Sequence, residues 1–169
     1  YTPRIDKELL KKYSAGLIGS TACLGGEVPK AFRTGGYERA KEAARSLRDI
    51  FEPGHFFLEI QNNGYEGQIE LNQALRRIGK ELEIPLLATN DVHYLDSSDS
   101  RAHEVLMCIP KGVTLNDAKA EKRYSDQLYL RSAAEMRAVM SDYLDAVDNT
   151  LMVSEMCVEV NPTGPISLP

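Results

Sequence analysis

Three short apolar runs, at 15–22, 56–60 and 84–90, alternate with stretches whose apolar residues recur at helical spacing, and this alternation restricts the fold more than any other feature of the chain. Parallel strands cannot be joined by a tight turn, so strand-like runs separated by amphipathic helices mark βα units in a parallel sheet. An α/β fold is expected, with three or so parallel βα units followed by a mostly helical C-terminal region.

The first unit opens with Ala15–Ala22. Gly25, Gly26 and Pro29 then break the chain before a helix from about Tyr37 to Phe51, where Tyr37, Ala40, Ala44, Leu47 and Phe51 share one face. Pro53-Gly54 ends that helix, and Phe56–Ile60 is apolar enough for a strand covered on both faces. Asn62-Asn63-Gly64 turns the chain into a second helix, Glu66–Leu82, which carries Leu71, Ala74, Leu75, Ile78 and Leu82 on one side. The third run is Ile84–Asn90. Beyond it, Ser98 or a neighbour caps a helix whose apolar stripe is Ala102, Val105, Leu106 and Ile109. A polar stretch, 110–127, precedes a short strand candidate, Leu128–Leu130. Ser132 and Glu135 have the spacing of a capping box, and a last helix covers about Tyr143–Cys157. Asn161–Pro165 has linker composition, so the compact unit is expected to span 1–160, with 161–169 as a linker.

Composition narrows the function classes. A chain of 169 residues with 43% apolar content can bury one core, and a formal charge of -5 argues against a surface that wraps a phosphate backbone. The three cysteines, Cys23, Cys108 and Cys157, follow no short repeating spacing and read as reduced thiols of a cytoplasmic protein. No apolar stretch is long enough for a bilayer span, and no signal-peptide pattern opens the chain, so no membrane partner is expected.

Asp91-Val92-His93 leaves the end of the third run directly. In extended backbone, side chains at i and i+2 point the same way, so these two groups are placed to grip one cation. Cys23 closes the first run and puts a thiol at the corresponding end of another strand, a third candidate ligand.

The blocks Gly16–Gly26, Phe57–Asn62 and Leu87–Tyr94 resemble, in order and spacing, consecutive stretches of the polymerase and histidinol phosphatase (PHP) domain found in bacterial replicative DNA polymerase III alpha subunits. Ala102–Leu106, Thr114–Asp117 and Tyr129–Met136 continue the resemblance over nearly the whole chain. It implies a (β/α)7 barrel, here partial and limited to its C-terminal part, with the linker at 161–169 leading toward a polymerase palm. By position it makes Cys23, Asp91 and His93 metal ligands, with zinc or manganese as the divalent ion. Glu59 and Asn62 fall near the same barrel mouth without a family ligand role. Other replicase subunits are implied as partners, a proofreading exonuclease and, through other domains, a sliding clamp; DNA is reached through the full-length protein.

The sequence departs from the family in lacking His-x-His, since its histidines are His55, His93 and His103 alone. It also has no Asp-x-Asp pair to hold the magnesium of nucleotide transfer, so that site lies outside this chain. The implied activity of an intact PHP site is metal-assisted 3′–5′ hydrolysis of phosphodiesters, and the fragment alone is expected to be inactive. A non-catalytic scaffold that docks a proofreading subunit is the alternative, and a free-standing PHP phosphoesterase the second. A barrel missing strands exposes sheet edges, so self-association is expected.

Plainer roles are assigned to the remaining groups. His103, beside its helix's apolar stripe, is read as a structural histidine, and His55, in a turn, as solvent-exposed. Cys108 and Cys157 are read as inert core thiols. The charged clusters at 38–48 and 119–123 are read as solvated faces, with Lys119, Lys122 and Arg123 placed to meet DNA or the polymerase body.

Overall fold

The computed structural model describes residues 4–120 and 125–157. Its centre is a three-stranded parallel sheet in the order β1 (Gly19–Ser20), β2 (Phe56–Ile60), β3 (Leu86–Ala88). A short helix, α1 (Lys7–Lys12), precedes it, capped by the Asp6 carboxylate, which accepts from the Leu9 amide at 2.8 Å.

Helix α2 (Glu27–Arg48) joins β1 to β2, and α3 (Gln68–Leu82) joins β2 to β3. They contact each other and both contact β2, so they cover the same sheet face, as two right-handed crossovers require. That face holds the core: Phe56, Leu58 and Ile60 of β2 and Leu86 and Ala88 of β3 meet Val28, Ala40 and Ala44 of α2 and Leu71, Leu75 and Ile78 of α3. Each fully buried aliphatic side chain here contributes about 1.5–3 kcal/mol. The opposite face carries Ser20, Phe57, Glu59 and Leu87, of which Phe57 is fully buried and the others exposed or half-buried.

Helix α2 starts ten residues before the helix expected from Tyr37 and bends at Gly36, whose φ of 71° only glycine adopts readily. Its extra arm contains Pro29, tolerated because amides in the first turn have no helical acceptor. The run 15–22 pairs with β2 only from Gly19 to Thr21, a correction with a local cause: Gly16 takes a left-handed turn at φ 72° and interrupts the extended chain ahead of the strand.

After a 3-10 turn at Ser97–Asp99, the C-terminal half holds α4 (Ser100–Cys108), α5 (Leu115–Ala120), α6 (Ala133–Val139) and α7 (Leu144–Met156). The capping box forms as the sequence indicates, with the Ser132 amide donating to Glu135 at 2.8 Å and the Glu135 amide to the Ser132 hydroxyl at 3.3 Å. The Ser132 hydroxyl, donating to the Glu135 carboxylate at 2.7 Å, and then the Ser132 amide hold that carboxyl below its ordinary range. The strand candidate Leu128–Leu130 is a single parallel bridge, Tyr94 to Tyr129.

Several expectations are corrected. The stripe Ala102, Val105, Leu106 and Ile109 faces solvent, and α4 instead buries His103 and Cys108. Cys157 is exposed, because it follows the last turn of α7 and lies beyond the core contacts of that helix. His55 is half-buried, with Nδ1 3.5 Å from the Glu52 carboxylate. The linker at 161–169, the end of the unit at 160, and Lys122 and Arg123 of the charged cluster lie outside the described residues. The described residues form an α/β sheet with helices and do not by themselves make a closed barrel. No described helix is long and apolar enough to cross a membrane.

Candidate metal centre

Because the three strands are parallel, their C-terminal ends share one rim, and the three loops that follow bring their side chains there. Strand pairing runs slightly past the strand ends, with the Thr21 amide on the Phe57 carbonyl at 3.1 Å and the Thr89 amide on that of Ile60 at 3.1 Å. Across the rim the Gln61 amide donates to the Thr89 hydroxyl at 2.9 Å. Asn72 of α3 grips the Gln61 backbone from below, accepting from its N–H at 3.4 Å and donating to its carbonyl at 2.7 Å.

Cys23 follows β1 by three residues and is half-buried. Asp91 and His93 follow β3 by three and five residues; Asp91 is half-buried and His93 exposed. Asp91 sits in the left-handed region at φ 48°, and Ala22, next to Cys23, at φ 57°. Left-handed backbone at non-glycine residues is strained and collects at functional sites. It also corrects the local argument for the pair, because a residue at positive φ breaks the extended alternation that would aim Asp91 and His93 the same way.

The His93 ring is held differently. Its Nδ1 lies 2.6 Å from the carbonyl oxygen of Asp91, which makes Nδ1 the protonated nitrogen and leaves the Nε2 lone pair for another partner. Metal-bound histidines are oriented by this kind of bond. The ring stands edge-on to His103 at 5.4 Å between centroids, and Tyr94 leans on His103 at 5.4 Å. Burial, and then the neighbouring His93, push the His103 pKa down, which disfavours the charged imidazolium.

The fit to a cation is partial. Among the described residues, no three His, Cys, Asp or Glu side chains gather closely enough to hold a metal ion. Cys23 follows the strand at one end of the order β1-β2-β3, and Asp91 and His93 follow the strand at the other. Thiol, imidazole and carboxylate suit zinc or manganese in kind, but these three do not close one shell.

Sequence reasoning missed the group that organises the rim. Arg131 donates through Nη1 to the Asn90 side-chain oxygen at 2.7 Å and the Asn62 carbonyl at 3.1 Å, and through Nη2 to Gln127 at 2.8 Å. Asn90 in turn donates to the Tyr129 carbonyl at 2.6 Å and that of Gln127 at 3.2 Å. One guanidinium thus ties the loops after β2 and β3 to the segment 127–131. Beside it Asn63 is fully buried, and its side-chain amide finds no partner among the described residues. Asn62 bonds the Val139 carbonyl at 3.2 Å and Glu59 accepts from the Ser20 hydroxyl at 3.0 Å, so both are engaged in holding the sheet and its loops together.

Residues 1–63 match the PHP domain. Beyond it, similarity to proteins named DNA polymerase III subunit alpha covers nearly the whole chain. The Borreliella burgdorferi protein is 35% identical over 165 residues, 98% of this chain. The Campylobacter jejuni protein is 38% identical over 98% of it, and the Mycobacterium leprae protein 40% identical over 90%. The chain spans 14%, 15% and 13% of those three relatives respectively, a small part of each.

Proposed function

We propose that this chain is a segment of a replicative DNA polymerase III alpha subunit, and that the parent protein carries out DNA-directed DNA synthesis in the cytoplasm with DNA and other replicase subunits as partners. The similarity over 90–98% of the chain carries this reading. The palm carboxylates and their magnesium belong to the parent, outside these residues.

Within the parent, Cys23, Asp91 and His93 are proposed as ligands of a divalent centre, zinc or manganese, completed by donors from elsewhere in the barrel. The free Nε2 of His93, oriented by the Asp91 carbonyl, supports this reading. Divalent ions bound there supply Lewis acidity toward a phosphodiester. His93 and Asp91 bind from the β3 side and Cys23 from the β1 side. The isolated chain is inactive because its own donors are too few.

A scaffold without chemistry is the second reading, favoured by the Arg131 network, which ties the rim loops together through hydrogen bonds of the protein itself. Full-length protein separates them. On the metal reading it carries bound zinc or manganese and trims the 3′ end of single-stranded DNA, and His93→Ala lowers both metal content and trimming while primer extension continues. A full-length protein that extends primers but holds no metal at the rim leaves the scaffold.

A further inference from the structure

The bend at Gly36 divides α2 into two arms, and these arms, with Lys7 of α1, line a cleft of about 500 Å³. Small-molecule sites occupy about 300–1,000 Å³. The first arm contributes Glu27, Lys30, Ala31 and Thr34, at the i, i+3, i+4, i+7 spacing of one helix face. Arg39, Glu42, Ala43 and Ser46 of the second arm repeat that spacing, so two helix faces form the walls. The Lys7 ammonium bridges them, donating to the Glu27 carboxylate at 2.5 Å and the Ser46 hydroxyl at 3.1 Å.

Although the chain carries a charge of -5, the unanswered charge of this cleft is positive. Glu27 is paired with Lys7, and Glu42 with Arg45 at 2.6 Å. Lys30 and Arg39, one on each arm, form no ion pair among the described residues. Ser46 accepts from Lys7, which leaves its own O–H to donate. Arg39 is also held in place: a Cβ at Gly35 would lie 2.4 Å from its Cδ and 3.1 Å from its Cβ, so the arginine stem crosses a position that glycine leaves open.

We propose that this cleft binds a phosphate monoester. Arg39 and Lys30 meet the phosphate oxygens from opposite walls, Ser46 donates a third bond, and the body of the ester lies over Ala31 and Ala43. A guanidinium fork matches two phosphate oxygens at once, and a second cation suits a dianion.

Amide NMR of the chain tests this in titrations with deoxyadenosine 5′-monophosphate, inorganic phosphate and deoxyadenosine, all at one ionic strength so that general screening is constant. Saturable shifts at Ala31, Arg39 and Ala43 are expected with the nucleotide, and deoxyadenosine is expected to bind about tenfold or more weakly. Inorganic phosphate that binds as tightly as the nucleotide identifies the free anion as the ligand; tighter binding of the nucleotide identifies the ester. Saturable shifts with neither, or deoxyadenosine binding as tightly as its monophosphate, overturn the proposal. Arg39→Gln is expected to weaken binding about tenfold or more. Gly35→Ala is expected to do the same by displacing the arginine, while the unfolding midpoint does not fall, since alanine favours the helix. Unchanged affinity in either variant overturns the proposal too.

Discussion

The side-chain amide of Asn149 donates to the main-chain carbonyl of Leu86 at 2.7 Å. The carbonyl of Pro85 accepts from Leu58 of β2, so that of Leu86 points the other way, along the free edge of β3. Helix α7 packs over this edge and Asn149 satisfies it, which protects the sheet from pairing with another chain. That leaves β1 as the other outer strand of the described sheet. Asn149→Leu leaves the carbonyl unpaired and costs about 1–3 kcal/mol. Urea denaturation checks the loss, and light scattering is expected to show more association than in the unsubstituted chain.

Gly79 sets how closely α3 lies on the sheet. A Cβ there would sit 2.8 Å from the Ile84 carbonyl oxygen and 3.6 Å from Leu58 and Leu86 side-chain carbons. Alanine normally gains about 1 kcal/mol over glycine inside a helix. Here the close neighbour is backbone at the start of the third unit and cannot swing away, so Gly79→Ala is expected to destabilise by about 1–3 kcal/mol. A urea midpoint equal to or above that of the unsubstituted chain would show that α3 can shift.

Acid stability reports on the contact between α2 and α3. The Lys41 ammonium, followed by Arg77, holds the Glu81 carboxyl down to about 2, against an ordinary value of 4.5. Between those values the unfolded chain binds the proton and the folded chain does not, so stability rises with pH through that window. The contribution is complete above pH 4.5 and is lost as pH falls through about 2. Glu81→Gln is expected to flatten the stability profile over this range and to leave its slope near neutrality unchanged, as read from urea titrations at successive pH values.

How far the sequence revealed this fold varies by element. The strand Phe56–Ile60 and the Ser132 capping box were legible because their signals are local: unbroken apolar character in one, a three-residue reciprocal bond in the other. Periodicity on α4 identified the stripe but not which side the rest of the chain would cover, since an amphipathic pattern states only that two faces differ. Cys23, Asp91 and His93 were placed at one rim by strand direction alone, and the parallel strand order fixes no more than that, because the way the loops beyond the strand ends turn has no sequence period. The Arg131 contacts span 41 and 69 residues, so only the folded chain reveals them.

Arg131 is therefore the most informative position for rim order. Its planar fork reaches Asn62, Asn90 and Gln127 at once and lies 5.2 Å over the Tyr129 ring, a set of contacts that a point ammonium cannot reproduce. Arg131→Lys keeps the charge but strands the Asn90 oxygen or the Asn62 carbonyl, at about 1.5–3 kcal/mol. Because these bonds hold the loops after β2 and β3, the loss is expected to be local. Amide hydrogen exchange at 61–63 and 89–93 should accelerate well before exchange in β2, where packing against α2 and α3 is untouched. Uniform acceleration across the sheet would instead mean that Arg131 supports the whole fold rather than the loops that carry Asp91 and His93.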